Sequence, residues 1–332
     1  MRRHFVIWGL LVIAAFVISL RIGRFPISGA DIFAVILGGD VSEMTRSVFL
    51  NLRLPRVLMA LIAGAGLGLA GSVFQLVFKN PLAAPDIIGA TSGANLGAAL
   101  AVVLIGQSVA AMALSAFVGS LAVVFSVVML AQITRGGGTG PSGAVTFILA
   151  GIVMKAVSDA FIMLMKFFAD HENQLAAIEF WAMGSLSAIT ASRLAAVLPF
   201  FLFGFVGLII ARRHITVLGL DDDEGRSLGV PVRLVRLTVL ALASLTVAAA
   251  VCLTGLIAFV GLIAPHVARL ALKRVSFAWC ALSALCGAFI LLVADVLARG
   301  LSTVEIPISI LTTFIGVPIL LYFMHSRRAG RV

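Results

Sequence analysis

The sequence predicts an all-α, polytopic membrane protein that forms a single transmembrane domain over residues 1–332. Of the 332 residues, 61% are hydrophobic and 11% are charged, and the mean hydropathy is +1.18. Soluble domains carry about 25% charged residues. Apolar runs of about 20 residues, the length that crosses a bilayer as a helix, recur throughout the chain. This composition leaves little room for a soluble domain, and none is visible for binding nucleotide.

Ten apolar runs have the length and pattern of spanning helices. An even number of spans places both termini on the same side of the membrane. The eighth run is short for a span. The runs are 5–20, 54–77, 88–106, 109–132, 143–166, 192–211, 234–252, 256–270, 277–298 and 307–325.

The basic residues predict that both termini are cytoplasmic. With that orientation, cytoplasmic segments carry 15 Lys and Arg and the opposite side carries 8, as the positive-inside rule favours. The basic start resembles a signal peptide, but no small-residue cleavage site follows the first apolar run, so a retained span is predicted. The net charge of +10 is spread over short loops, which argues against a nucleic-acid partner. Segments 21–53 and 167–191, on the non-cytoplasmic side, are long enough for short surface helices.

A polar elbow follows the second span. Pro81 and Pro85 are four residues apart, and prolines at that spacing prevent a continuous helix. Broken backbone at a membrane is tolerated where it is buried in protein or lines a cavity. The segment is therefore either an ordinary cytoplasmic turn or part of a constriction on a transport path.

Glycines recur every fourth residue on two spans. Gly64 and Gly68 lie on the second span, and Gly89, Gly93 and Gly97 make two successive steps on the third. Small residues at this spacing let membrane helices approach closely. Close packing is predicted, and helices that also slide during transport are the functional alternative.

Several charges lie within or beside the spans, where an unpaired charge is costly. Lys155 and Asp159 are four residues apart on the fifth span, so they share a helix face and can neutralise each other. They form either a self-contained pair or part of a substrate path. Asp295 and Arg299 repeat the spacing at the end of the ninth span, where Asp295 can orient the arginine.

The most polar cytoplasmic loop carries four consecutive acids, residues 221–224. Carboxylates favour the N-terminal end of a helix, so these acids are predicted to cap a short one. An apolar Leu228 beside this charge favours a docking element for a cytoplasmic partner over a solvated loop. The glycine-rich run 135–143 lacks the Gly-Lys-Ser/Thr ending of a phosphate loop, so a flexible inside loop is predicted. The sequence shows no catalytic triad and no metal-ligand cluster, and neither an enzyme nor a metal site is expected.

Motifs along nearly the whole chain resemble those of permease subunits of ABC importers for ferric siderophores, haem and cobalamin. The motifs are Arg53-Leu54-Pro55-Arg56, Gly68-Leu69-Ala70-Gly71, Asn80–Asp86, Gly255–Arg269, Ala294–Arg299 and Glu305-Ile306-Pro307. The resemblance implies a cobalamin-permease-like bundle of ten helices, paired with a second permease subunit that is either a copy or a paralogue. It further implies two cytoplasmic ATPase subunits that hold ATP and Mg, and a periplasmic or lipid-anchored substrate-binding protein. No cofactor is expected on this chain.

The same resemblance implies three groups of functional residues. Outward, exposed arginines would receive glutamates of the binding protein: Arg53, Arg56 and Arg299. An element that couples to the ATPase would comprise Leu218, Gly219, Asp221, Asp222, Asp223, Glu224, Leu228 and Gly229. The gate or path would comprise Asn80, Pro81, Leu82, Pro85, Gly89, Gly93, Lys155 and Asp159. Lys155 and Asp159 depart from the family pattern, which is mostly small and apolar there.

Residues 85–86 and 181–186 resemble the siderophore branch, so an iron chelate is the expected substrate, with haem or cobalamin as alternatives. Outside the family, an ion-coupled secondary transporter would need charged or unwound residues in two related halves. Lys155 and Asp159 have no counterpart in the second half of the sequence. A membrane enzyme is disfavoured by the missing catalytic groups.

Overall fold

A computed structural model describes residues 1–23, 25–134, 142–273 and 276–328, and within them every regular element is helical. Two π-helical turns, Phe49–Arg53 and Ala101–Ile105, and one 3₁₀ turn, Pro85–Ile88, extend or link the α-helices. The α-helices are α1 Arg2–Arg21, α2 Gly29–Leu37, α3 Glu43–Val48, α4 Leu54–Val77, α5 Ala90–Leu100, α6 Val109–Ile133, α7 Ser142–Phe168, α8 Gln174–Ala182, α9 Ala191–Ile210, α10 Arg212–Leu218, α11 Asp222–Ser227, α12 Val232–Thr254, α13 Val260–Ala271, α14 Phe277–Gly300 and α15 Ile308–Arg328.

The helices confirm the predicted fold class, and an apolar helix lies over each of the ten predicted runs. Seven helices within the described ranges are long and apolar enough to cross a membrane, and three shorter apolar helices accompany them. Each overlies one of the ten runs, and the short eighth run is the 12-residue α13. The loop predicted at 135–143 lies, through residue 141, outside the described residues.

Three helices form the centre of the bundle. The most apolar windows of the helices that contain α4, α12 and α14 are 78%, 72% and 67% buried, against 22–28% for the other long apolar helices. α4 packs along α14, α12 and α13, and α12 also packs on α9 and α6. The peripheral helices leave apolar faces exposed, as expected where lipid replaces water.

Glycines bring the central helices into backbone contact, as the four-residue spacing predicts. Gly64 on α4 faces Gly287 on α14, and a Cβ atom at either position would clash with the backbone of the other helix. In a second pair of helices, Gly93 on α5 faces Gly119 on α6 in the same way. Both spacings therefore specify close helix pairs.

Short helices occupy the segments predicted to hold them. α2 and α3 lie within 21–53, and α8 lies within 167–191. The Ser28 hydroxyl accepts from the Asp31 backbone N–H at 3.1 Å, and the Asp31 carboxylate accepts from the Ser28 N–H at 3.0 Å. This reciprocal capping box explains why α2 begins where it does. The π-helical turn after α3 then leads directly into α4.

Candidate functional site

The first candidate site is an arginine cluster, which we define as Arg53, Arg56, Arg299, Asp295 and Glu305. Arg56 donates from Nε to Asp295 Oδ1 at 2.8 Å and from Nη1 to Glu305 Oε1 at 2.9 Å. Arg299 donates from Nη2 to the other oxygen of Asp295 at 2.7 Å. Asp295 therefore bridges two guanidinium groups, and it is wholly buried. The expected role of this carboxylate in orienting Arg299 is confirmed.

The expected exposure of the three arginines is wrong. Arg53, Arg56 and Arg299 are 6%, 9% and 8% exposed, and the cluster finds its partners within the same chain. A buried guanidinium without a partner would carry a large desolvation penalty, which explains the internal carboxylates. The docking role of these arginines is a separate question and stays a prediction.

Two of the arginines also cap the C-terminal end of α1. Arg299 donates to the backbone oxygens of Ser19 and Ile22 and to the Ser19 hydroxyl, the last at 2.6 Å. Arg53 donates to the backbone oxygens of Leu20 and Phe25. The last carbonyls of a helix lack intrahelical partners and carry partial negative charge, so guanidinium groups stabilise them. The cluster thus ties α1, α4 and α14 together at one end of the bundle.

The second candidate site is the elbow, residues 78–89, at the opposite end of α4. The Asn80 side chain accepts from the Leu82 N–H at 2.9 Å and forms a tight turn after α4, as the prolines predict. The side chain of Leu82 is 60% exposed. Pro85 begins the 3₁₀ turn, and Gly89 adopts φ +74° ahead of α5.

A second stretch of broken backbone meets the elbow. Residues 255–259 are non-helical, Phe259 has φ +66°, and Gly261 at the start of α13 lies against Pro85. The two segments enclose a cavity of about 210 Å³ whose lining includes Asp86, Thr91 and Leu262. Left-handed backbone at a phenylalanine costs energy and clusters at functional positions. The elbow is therefore more than a surface turn, because it lines a cavity with a second unwound segment.

The third candidate site is the coupling segment, residues 217–230. Asp221 caps α11, and the Glu224 side chain accepts from the Asp221 N–H at 3.2 Å, which confirms the predicted acidic helix start. Leu218 is buried, whereas Leu228 is 64% exposed beside the charged face. Gly229 ends the segment at φ +75°. The segment is thus anchored at one end and presents an apolar side chain at the other.

Two ion pairs fasten the coupling segment to the bundle. Lys79 Nζ of the elbow contacts Asp221 Oδ1 at 2.7 Å, and Arg236 Nη2 of α12 contacts Asp222 Oδ1 at 2.6 Å. The hydrogen bond from Arg236, aided by its charge, lowers the pKa of Asp222 below its usual value despite partial burial. Lys79 itself has φ +48°. The elbow, which carries predicted gate residues, is therefore in direct contact with the predicted coupling element through Lys79, a residue not predicted as part of the gate.

The predicted pair on α7 forms. Lys155 Nζ contacts Asp159 Oδ2 at 2.7 Å, and their side chains are 49% and 44% exposed in the single chain. Lys155 also interacts electrostatically with Asp86 of the elbow. Gly93 does not join this group, because it packs against α6 instead.

Sequence reasoning missed several of the contacting residues. Lys79 and Arg236 were read only as cytoplasmic charges, and Glu305 only as part of a motif. Their partners are 142, 14 and 249 positions away along the chain. A short-range pattern carries no signal for such pairs, although the need of Arg56 for a carboxylate was itself a hint.

A buried charged bridge lies at one end of the described bundle, the elbow contacts the coupling segment at the other, and ten apolar helices lie between them, which defines a polytopic membrane fold. A solved metal-chelate type ABC transporter in an inward-facing conformation is similar over 98% of this chain and 100% of its own, with a TM-score of 0.86 and 32% identity. PsaBC from Streptococcus pneumoniae shares the fold alone, with a TM-score of 0.60 and 15% identity over 88% of this chain and 94% of its own.

Sequence comparison identifies the family. The profile of the FecCD transport family matches residues 11–326. Similar proteins include the molybdate import permease MolB of Haemophilus influenzae, 35% identical over 97% of this chain and 94% of its own, and the ferric enterobactin permease FepG of Escherichia coli, 35% identical over 98% of each. The hemin permease HmuU of Yersinia pestis is 32% identical over 97% of this chain and 96% of its own. The chain belongs to the FecCD transport family, and it is a multi-pass ABC transporter permease that works with other ABC subunits.

Proposed function

We propose that this chain is the permease subunit of an ABC importer that moves an iron chelate, a ferric siderophore, across the cytoplasmic membrane. Support comes from similar permeases named for ferric enterobactin and hemin and from the metal-chelate type transporter. Other similar permeases are named for molybdate and, in Halobacterium salinarum, for cobalamin. Permeases of one fold serve these varied cargoes, so selectivity belongs mainly to the substrate-binding protein. Haem and cobalamin are the alternative cargoes.

One observation carries the mechanism. α4 begins directly after Arg53 and carries Arg56 in its first turn, so one end lies in the arginine cluster. The other end leads into the elbow, whose Lys79 forms an ion pair with Asp221 of the coupling segment. A 24-residue helix is about 36 Å long, enough to cross a membrane. A single helix therefore joins the proposed docking surface for a binding protein to the proposed contact with an ATPase.

In this mechanism a loaded binding protein, periplasmic or lipid-anchored, docks at the arginine cluster. Opposite charge speeds such encounters, and salt slows them. Two cytoplasmic ATPase subunits bind ATP and Mg, and the exposed Leu228 with its flanking acids forms the surface they contact. This chain supplies no catalytic residue, both of its termini are cytoplasmic, and a second permease subunit completes the path.

Movement of the coupling segment would pass to the elbow through the Lys79–Asp221 pair. The elbow and the unwound residues 255–259 share a cavity, so displacing one changes the other, and the path opens to each side in turn. Lys155 and Asp159 are half exposed on a spanning helix, where lipid contact would be costly. We place them on the central path or against the second permease subunit.

The test is reconstitution of the chain in proteoliposomes with its ATPase and substrate-binding protein. Radiolabelled ferric siderophore should accumulate only when the binding protein is outside and ATP is inside. The matched control replaces ATP with a non-hydrolysable analogue, which should abolish uptake. Uptake driven by a proton gradient without ATP would refute the proposal and favour an ion-coupled secondary transporter.

A further inference from the structure

Glu305 differs from the other charged members of the arginine cluster in its accessibility. Its side chain is 24% exposed, whereas Asp295 is wholly buried and the Arg299 side chain is 5% exposed. Glu305 lies in the connection between α14 and α15, outside any helix. Nearby Leu301 and Val304 are 62% and 73% exposed. The segment 301–306 therefore carries its one acidic group inward to Arg56, while Leu301 and Val304 face outward and Ile306 packs against the core.

The remaining contacts of the cluster are not readily exchanged. Arg53 and Arg299 donate to backbone oxygens at the end of α1, which are part of the fold. Asp295 is shared by Arg56 and Arg299, so removing it would leave two buried positive charges facing each other. Within the arginine cluster, only the Arg56–Glu305 contact joins a buried guanidinium to a carboxylate that solvent reaches. That carboxylate lies on a connecting segment that can move.

We propose that Glu305 occupies the position that a carboxylate of the substrate-binding protein takes on docking, so that it is an internal competitor for Arg56. This inference rests on the proposed function. Exchange of one carboxylate for another leaves no buried charge unpaired, which avoids the main cost of breaking such a contact. The segment 301–306 would then be released from the cluster.

The competitor has an electrostatic consequence. Three arginines and two carboxylates give the cluster a net charge of +1, and without Glu305 this becomes +2. Glu305 thus weakens the attraction for an acidic partner and keeps Arg56 paired between docking events. Its removal should strengthen binding.

The experiment measures binding of the substrate-binding protein to the assembled permease–ATPase complex in nanodiscs, with variant Glu305→Gln. We expect the dissociation constant to fall about twofold to fivefold, the range for losing a competing, partly exposed ion pair. The matched control is Glu43→Gln, which removes the same charge at the start of α3, outside the contacts that the cluster makes among the described residues. Equal binding by the two variants, or weaker binding by Glu305→Gln, would overturn the proposal.

A second measurement follows the segment itself. Cys252, Cys280 and Cys286 are buried, so Val304→Cys provides one accessible thiol for a spin label. Docking should increase the mobility of the label in the wild-type background and change it little when Glu305→Gln is also present. A label unaffected by docking in both backgrounds would overturn the exchange of Glu305.

The outcomes separate this inference from the function on which it rests. An assembled Arg56→Gln variant that binds the substrate-binding protein as the wild type does would refute docking at the arginine cluster. Binding that depends on Arg56 but is not tightened by Glu305→Gln would refute the internal competitor alone. If Arg56→Gln fails to assemble, the spin-label measurement decides.

Discussion

At the scale of single residues, the main finding is how charge is satisfied within an apolar bundle. Asp295 bridges Arg56 and Arg299, and the guanidinium group of Arg299 also binds the last carbonyls of α1. The need of Arg53 and Arg56 for partners is visible in the sequence, because charge in a membrane helix is costly. The identity of those partners is not, since Asp295 lies 239 residues from Arg56.

We expect Asp295→Asn to destabilise the protein by about 3–5 kcal/mol, because it removes the buried carboxylate shared by Arg56 and Arg299. Thermal unfolding in detergent, followed with a thiol-reactive dye that reaches the buried cysteines on unfolding, measures the loss. Glu305→Gln is the control and should cost less, since its partly exposed contact is backed by the remaining Asp295 pair. Wild-type stability of Asp295→Asn would contradict the role assigned to the bridge.

The attachment of α11 to α12 should resist acid. The hydrogen bond from Arg236 lowers the folded-state pKa of Asp222, so its contribution is present above the unfolded-state pKa and is lost as pH falls through the lowered one. A spin label at Leu228→Cys should report an attached segment at neutral pH and at the usual pKa of an aspartate, with release only at lower pH. In the Asp222→Asn control this low-pH step should be missing. Release of the native segment near neutrality would contradict the assignment.

At the scale of helices, stability depends on a few close pairs and coupling depends on short connecting segments. α4 lies against α14 through Gly64 and Gly287, where no side chain fits between the backbones. α10 and α11 are held on the bundle by buried Leu218 and by two ion pairs. The central helices are thus rigidly paired, whereas the coupling segment is attached by contacts that can exchange.

Gly287→Val should separate α4 from α14, because the added carbons meet backbone atoms that cannot rotate away. We expect the bundle to lose about 1–3 kcal/mol of stability or more. The thermal midpoint and the yield of monodisperse protein are the measurements. Gly9→Val is the matched control, since a Cβ atom at Gly9 on α1 meets no atom within 4 Å. Similar midpoints for the two variants would contradict the packing argument.

Lys79→Met should reduce transport per ATP hydrolysed while leaving stability nearly unchanged. The Lys79–Asp221 pair is largely exposed, and such pairs contribute about 0–1 kcal/mol, so the expected loss is in coupling. Uptake and ATPase rates in the same proteoliposomes measure the ratio. Lys166→Met is the control, because Lys166 also forms a partly exposed ion pair, with Glu179 of α8, away from the elbow and the coupling segment. Parallel behaviour of the two variants would exclude a transmitting role for Lys79.

At the scale of the whole molecule, long-range contacts agree with the predicted threading of the chain through the membrane. The predicted orientation places Arg56 and Arg299 on the non-cytoplasmic side, and both belong to one cluster with Asp295. Lys79 and Asp221 were both assigned to the cytoplasmic side, and they also meet. Pairing of this kind supports the order of the spans, while the absolute orientation rests on the positive-inside rule.

Labelling of engineered cysteines tests that orientation. Val304→Cys should react with a membrane-impermeant maleimide in intact spheroplasts, whereas Leu228→Cys should react only after permeabilisation, because the two lie at opposite ends of the bundle. The unmodified chain is the control and should stay unlabelled, since its three cysteines are buried. The reverse pattern would place the termini outside the cytoplasm.

The sequence by itself determined the class of protein, the ten spans, the glycine-paired helices, the break at the elbow and the acidic cap of α11. These features are local, because hydropathy, proline, glycine spacing and capping act over a few residues. Only the tertiary structure decided that Arg56 pairs with Asp295 and Glu305, that Lys79 reaches Asp221, and that the elbow shares a cavity with residues 255–259. These contacts join residues distant in the chain, and their partners depend on how the helices pack, which no short pattern encodes.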